Sequence, residues 1–144
     1  IKDQDVVMLK YPDYGVPLYG NAVIASQKFI NENPKAVAGF LRALTKGIRD
    51  VIRDPDAAID QVLKTRDPLI SVPLEKRRLR LAIDTVVGTP NSRANGVGAI
   101  DKPRFAVTVV QVAQSFNLKQ TPNIDTLFND SFLPSANERK VFAK

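Results

Sequence analysis

Four times along this chain a proline stands in the opening turn of an amphipathic run: at Asn33-Pro34, Asp54-Pro55, Asp101-Lys102-Pro103 and Pro73. Proline loses nothing at the first helical position, where its missing amide would have had no partner, but it breaks a helix interior. An Asn or Asp just before it accepts the free amides of the first turn. These positions divide most of the chain into helices with fixed starts.

The run from 34 to 53 carries Val37, Phe40, Leu41, Leu44, Ile48, Val51 and Ile52 at three- and four-residue steps, with Lys35, Arg42, Lys46, Arg49, Asp50 and Arg53 opposite. That spacing predicts one amphipathic helix with Phe40, Leu44 and Ile48 buried. A second helix runs from Pro55 through Leu63 and ends before Asp67-Pro68, and a third spans about Pro73 to Val87 with Gly88 as its stop. Thr89 to Ile100 reads as a turn-rich loop. The segment after Asp101 contains Val107-Thr108-Val109-Val110, which would suit a strand, but Phe105, Val109, Val112, Ala113 and Phe116 keep the helical period and decide for helix. Ser26 is a plausible cap for a short turn over Gln27–Asn31, a further turn is expected near Asp125–Phe128, and Ser135-Ala136-Asn137-Glu138 is a capping box.

Before Ser26 the pattern changes. Val6-Val7-Met8-Leu9 and Ala22-Val23-Ile24-Ala25 are short β-branched and apolar runs bounded by turn formers, and they read as two buried strands. Between them Tyr11 to Asn21 holds Pro12, Pro17, Gly15 and Gly20, a fixed irregular connection. Two strands cannot cover so many helical stripes, so the apolar faces call for partners upstream of this chain. The opening residues Ile1-Lys2-Asp3-Gln4-Asp5 carry neither an initiator Met nor a secretory pattern, and we expect an internal cut there.

With no Cys and no His, the chain has no thiolate nucleophile, disulfide, Cys/His zinc site or Ser-His-Asp triad. No apolar run approaches the roughly 20 residues that cross a bilayer. The net charge of +6 is spread along the chain. The basic run Lys76-Arg77-Arg78 with Arg80 has no interleaved aromatic for base stacking and reads as a solvated helix face, so no nucleic-acid partner is expected. Asp54 and Asp101 read as helix caps in preference to paired catalytic carboxylates, and Asn95-Gly96-Val97-Gly98 reads as a turn, lacking the third glycine of a phosphate loop. No catalytic residue, metal site or cofactor is expected.

The ordered set Gly20-Asn21-Ala22-Val23-Ile24-Ala25-Ser26, Phe29, Glu32-Asn33-Pro34-Lys35-Ala36-Val37, Phe40-Leu41-Arg42-Ala43, Asp54-Pro55-Asp56-Ala57-Ala58, Asn95-Gly96-Val97-Gly98 and Phe128-Asn129-Asp130-Ser131-Phe132-Leu133-Pro134 resembles the returning segment of solute-binding proteins for nitrate, sulfonate, taurine and thiamine-precursor importers. The resemblance implies a two-lobed α/β fold of the periplasmic-binding-protein type II class, of which this chain is a predominantly helical piece with two short strands. Residues 1–20 would be the end of lobe two and the interlobe crossover, and 21–144 the C-terminal helical part of lobe one. It also implies a periplasmic or lipid-anchored extracytoplasmic protein that captures a small anionic or zwitterionic solute and delivers it to ABC permease subunits. Self-association of the isolated piece is expected from its uncovered apolar faces. The scaffold is similar, too, to the fungal enzyme that builds the thiamine pyrimidine by consuming its own histidine, and no histidine exists here to supply. A helical interaction domain is the other alternative.

Within the resemblance, Tyr14, Tyr19 and Asn21 are the candidate ligand-binding residues. They lie on the crossing segment, offer neutral, orientable hydrogen bonds, and are flanked by glycines that open the backbone. The competing reading is that Tyr14 and Tyr19 pack under the connection and Asn21 caps a turn.

Overall fold

The computed structural model describes residues 5–63 and 69–142. A 3-10 turn at Tyr11–Tyr14 precedes eight helices: α1 (Gln27–Glu32), α2 (Pro34–Arg53), α3 (Pro55–Leu63), α4 (Val72–Ala82), which runs into a π-helical turn at Ile83–Val87, α5 (Pro90–Asn95), α6 (Lys102–Ser115), α7 (Ile124–Leu127) and α8 (Ala136–Arg139). Among the described residues there is no strand. Both expected strands are therefore corrected: Val6–Leu9 and Ala22–Ala25 lie outside any helix or strand, and Val7 and Ile24 stand 82% and 91% exposed. A β-run needs a neighbouring strand to take its amides and carbonyls, and propensity alone cannot supply one. The expected end of the second helix before Asp67-Pro68 lies outside the described residues.

Two compact units share the chain, one made of the stretch ending at Val23 with Ile100–Asn129, the other of Ile24–Ala99 with the stretch from Asp130. In the second unit the starts of α1 to α4 and of α8 are as the sequence predicts, with differences in how they are satisfied. Ser26 accepts from the Phe29 amide at 3.1 Å, and Asp54 from that of Ala57 at 3.0 Å. The Asn33 side chain makes no cap bond; its backbone carbonyl takes the Ala36 and Val37 amides instead, at 3.0 and 3.2 Å. Helix α2 has the expected bounds but not the expected burial. Phe40 is 57% exposed, Leu44 is exposed and Ile48 is half-buried. Helices α3 and α4 pack against each other and α3 against α2, leaving an open apolar groove lined by Leu44, Ile48, Val51, Leu79, Ile83 and Val87. Periodicity identifies the face of α2 but does not provide a cover for all of it.

Helix α4 turns part of its basic run toward α3. Lys76 Nζ lies 2.8 Å from Asp60 and Arg80 lies 2.8 Å from Asp56, the latter a charge contact off the hydrogen-bond axis. The expected solvated face is thus partly an interhelical one. The hydrogen bond from Lys76 to Asp60 raises the lysine above its ordinary value. Arg78 pairs with Glu75 within α4.

The expected loop after Gly88 contains α5, capped by Thr89, whose hydroxyl accepts from the Ser92 amide at 3.2 Å. After it, Arg139 gathers the loop backbone. Its guanidinium donates to the carbonyls of Asn95, Val97 and Pro134 at 3.2, 3.1 and 3.0 Å, while its own carbonyl accepts from the Val97 amide at 2.9 Å. Val97 and Val141 are buried here, and Arg93 lies 4.4 Å over the Phe142 ring. Arg49 of α2 donates to the Glu138 carbonyl.

Two outcomes follow for this unit. Gly96 adopts φ 88° and ψ 157°, a region nearly confined to glycine, and a Cβ there would sit 2.7 Å from the Arg139 Cβ. Gly98, at φ 79°, would meet only the flexible end of Leu133 at 3.3 Å. Gly96→Ala should therefore cost about 3 kcal/mol or more and Gly98→Ala about 1–2 kcal/mol in urea unfolding; equal losses would contradict the close approach. The second outcome concerns α8. Glu138 accepts from the Ser135 hydroxyl and amide at 2.8 and 3.0 Å, and these bonds hold its carboxyl below the ordinary glutamate value. A depressed folded value means the box stabilises above the ordinary range and is lost as pH falls through the lowered one. NMR titration should show Glu138 protonating at lower pH than a free glutamate, and Ser135→Ala should move it back up.

Candidate functional site

Helix α6 organises the first unit. Asp101 caps it by accepting the Arg104 amide at 2.8 Å, and Thr108, Val109 and Ala113 are its buried residues. The expected stripe holds at its centre, but Val112 and Phe116 at its far end are exposed. Phe105 meets Tyr19 and Phe128 edge-on, with ring centroids 6.1 and 6.2 Å apart. Edge-to-face contacts of this kind bring the electropositive rim of one ring to the face of another.

The connection carrying the candidate residues lies along this helix. Pro17 has no amide to donate, so the segment cannot zip onto a strand throughout its length. Its carbonyls find side-chain donors on α6. Gln111 Nε2 donates to Gly15 O at 2.9 Å, Thr108 Oγ1 to Pro17 O at 3.2 Å, Arg104 Nε to Pro17 O at 2.8 Å and Arg104 Nη2 to Leu18 O at 2.9 Å. Residues 104, 108 and 111 recur at steps of four and three and so share one side of the helix.

The three candidates have different placements. Tyr19 is half-buried; its hydroxyl accepts from the Asp101 amide at 2.7 Å and lies 3.4 Å from the Asp101 carbonyl, and its ring sits 4.5 Å from the Arg104 guanidinium carbon. Tyr14 ends the 3-10 turn and is 67% exposed. Asn21 is exposed and lies outside any helix or strand. Among the described residues the side chains of Tyr14 and Asn21 make no hydrogen bond, and neither do the backbone amides of Gly20 and Asn21. The structure thus ties Tyr19 to α6 and does not join it to Tyr14 or Asn21 by any hydrogen bond. Sequence reading missed Arg104, Thr108 and Gln111. Their signal was a polar row beside the apolar stripe, with Thr108 set inside a valine run.

Chemically the segment offers neutral donors and acceptors, held on a fixed path by the cationic Arg104 and its neighbours on α6. Asp54, Asp101 and Glu138 are engaged as caps and Glu32, Asp50, Asp56, Asp60 and Glu75 as ion partners, and among the described residues no three metal-ligating side chains gather. No described helix is long and apolar enough to cross a membrane.

Comparison with known proteins adds two matches. Residues 1–58 match the family described as NMT1/THI5 like. Over 100 residues the chain is 30% identical to a formylaminopyrimidine-binding protein of Halalkalibacterium halodurans, an alignment that covers 66% of this chain and 30% of the relative. The chain therefore spans about a third of the length of that relative. No solved structure matches it significantly. The family match includes the whole connection from Tyr11 to Asn21, and over that stretch the chain is similar to the NMT1/THI5-like family.

Proposed function

We propose that this chain contributes one wall of a ligand cleft in a solute-binding protein that captures a small molecule and passes it to the permease of an ABC importer. The observation that carries the reading is the similarity to a formylaminopyrimidine-binding protein. It favours a planar, neutral nitrogen heterocycle of that kind over the anionic or zwitterionic solute expected from the sequence. Work at a permease requires an extracytoplasmic location, periplasmic or lipid-anchored. On this reading the fold is of the periplasmic-binding-protein type II class, with 1–20 as the crossover and 21–144 in lobe one.

The segment ending at Asn21 suits this role physically. A heterocyclic ring nitrogen needs a donor and a formylamino group needs both donor and acceptor. The open amides of Gly20 and Asn21 and the Asn21 carboxamide supply these at exposed positions. The cleft's remaining groups belong to the opposite lobe, so capture by this chain alone is weak. Reversible capture needs no catalytic group.

In an NMR titration of the chain with a formylaminopyrimidine, saturable amide shifts are expected within 14–21. Asn21→Ala should weaken that binding by about 0.5–1.5 kcal/mol, the net worth of one hydrogen bond. Arg78→Gln, which alters the remote α4 surface, should leave it unchanged. Shifts confined to other segments, or the same response to taurine and nitrate, would overturn the assignment.

A further inference from the structure

The segment that the proposed function makes ligand-bearing does not hold its own shape. Between Gly15 and Tyr19 the internal backbone hydrogen bonds are few: the Gly15 amide to the Pro12 carbonyl at 3.3 Å, the Val16 amide to the Tyr11 carbonyl at 3.1 Å and the Leu18 amide to the Val16 carbonyl at 2.9 Å. The other contacts that fix it come from α6 and its cap Asp101, and Arg104 makes more of them than any other residue. The Arg104 guanidinium donates to two successive carbonyls, those of Pro17 and Leu18, at 2.8 and 2.9 Å, and covers the ring of the next residue, Tyr19, at 4.5 Å. The Tyr19 hydroxyl then accepts from the amide of Asp101 at 2.7 Å, and the Asp101 carboxylate accepts from the amide of Arg104 at 2.8 Å. These contacts close a ring, from Arg104 through 17–19 to Asp101 and back to Arg104.

From this ring we infer that Arg104 is the positioning residue of the candidate ligand segment: it sets the direction in which Gly20 and Asn21 leave the helix without itself touching the ligand. The chemistry requires arginine. A planar fork can reach two carbonyls at once while its face lies on an aromatic ring, whereas an ammonium is a single point donor. Thr108 and Gln111 extend the same row but each holds one segment carbonyl. Tyr19 is then required for placement through its hydroxyl, and the ligand meets the residues after it. The ligand arm of the test rests on the proposed function; the placement arm does not.

The experiment compares Arg104→Gln, Arg104→Lys and the charge control Lys119→Gln with the unaltered chain. Amide hydrogen exchange is read at Leu18 and Asp101, ring carbon shifts at Tyr19, and affinity by titration with a formylaminopyrimidine. In Arg104→Gln, exchange at Leu18 and Asp101 should rise about tenfold and the Tyr19 ring shifts should move, with Val109 and Ala113 in the body of α6 unchanged. Affinity should fall by about tenfold, and Arg104→Lys should recover part of both effects. Lys119→Gln should match the unaltered chain in every readout.

Unchanged exchange and ring shifts in Arg104→Gln would overturn the inference. So would faster exchange throughout α6, which would make Arg104 a general stabiliser of the helix, or altered placement with unaltered affinity. If the unaltered chain gives no response to the formylaminopyrimidine, the proposed function fails, while the exchange and ring data still decide whether Arg104 places the segment.

Discussion

A backbone carbonyl withdrawn from water without a donor costs about 1–3 kcal/mol, and three carbonyls of the proline-bearing connection find their donors outside the segment. Those of Gly15, Pro17 and Leu18 are all met by side chains of α6. The rest of the first unit depends on that match. It fixes the path of the segment, brings Tyr19 against Phe105, and lets the tyrosine hydroxyl reach the backbone at the head of the helix. The arrangement replaces the ladder that a neighbouring strand would provide, and it does so where proline makes a continuous ladder unattainable.

The second unit solves the same accounting problem at helix ends. Ser26, Asp54, Thr89 and Ser135 take first-turn amides, and Arg139 serves three loop carbonyls at once. Its apolar burial is by contrast modest. Ile83, Val97 and Val141 are its buried aliphatic residues among those described, while Phe40 and Leu44 of the longest helix remain open. Hydrogen bonds at the ends of helices are local and survive with few neighbours, whereas a core needs facing surfaces.

This division of labour suits a solute-binding surface. A pocket wall must present polar groups at defined positions without spending them internally, which favours a segment pinned from behind by another element. The carbonyls of 15, 17 and 18 face their donors on α6, and the amides of Gly20 and Asn21 remain open. Tyr19 belongs to the support and Asn21 to the open surface, although the two are separated by one residue.

Helix starts and periods were legible in the sequence because they are set by chemistry within a turn or two. Proline after a capping residue marked α2, α3 and α6, and the bounds of α2 follow directly from it. Helix α5 escaped notice although Thr89-Pro90 has the same form, since six residues carry no apolar stripe to betray them. Strand character in Val6–Leu9 was misjudged for a different reason: a strand is a relation between two segments, and one run of β-branched residues describes only half of it. The same holds for the site. Residue type marked Tyr14, Tyr19 and Asn21 as groups able to meet a ligand, but their roles diverge through Arg104, which is 85 positions beyond Tyr19 in the chain. Local backbone chemistry is written in neighbouring residues, whereas the partner of a carbonyl or a ring is chosen only when distant segments meet, and that choice belongs to the tertiary structure.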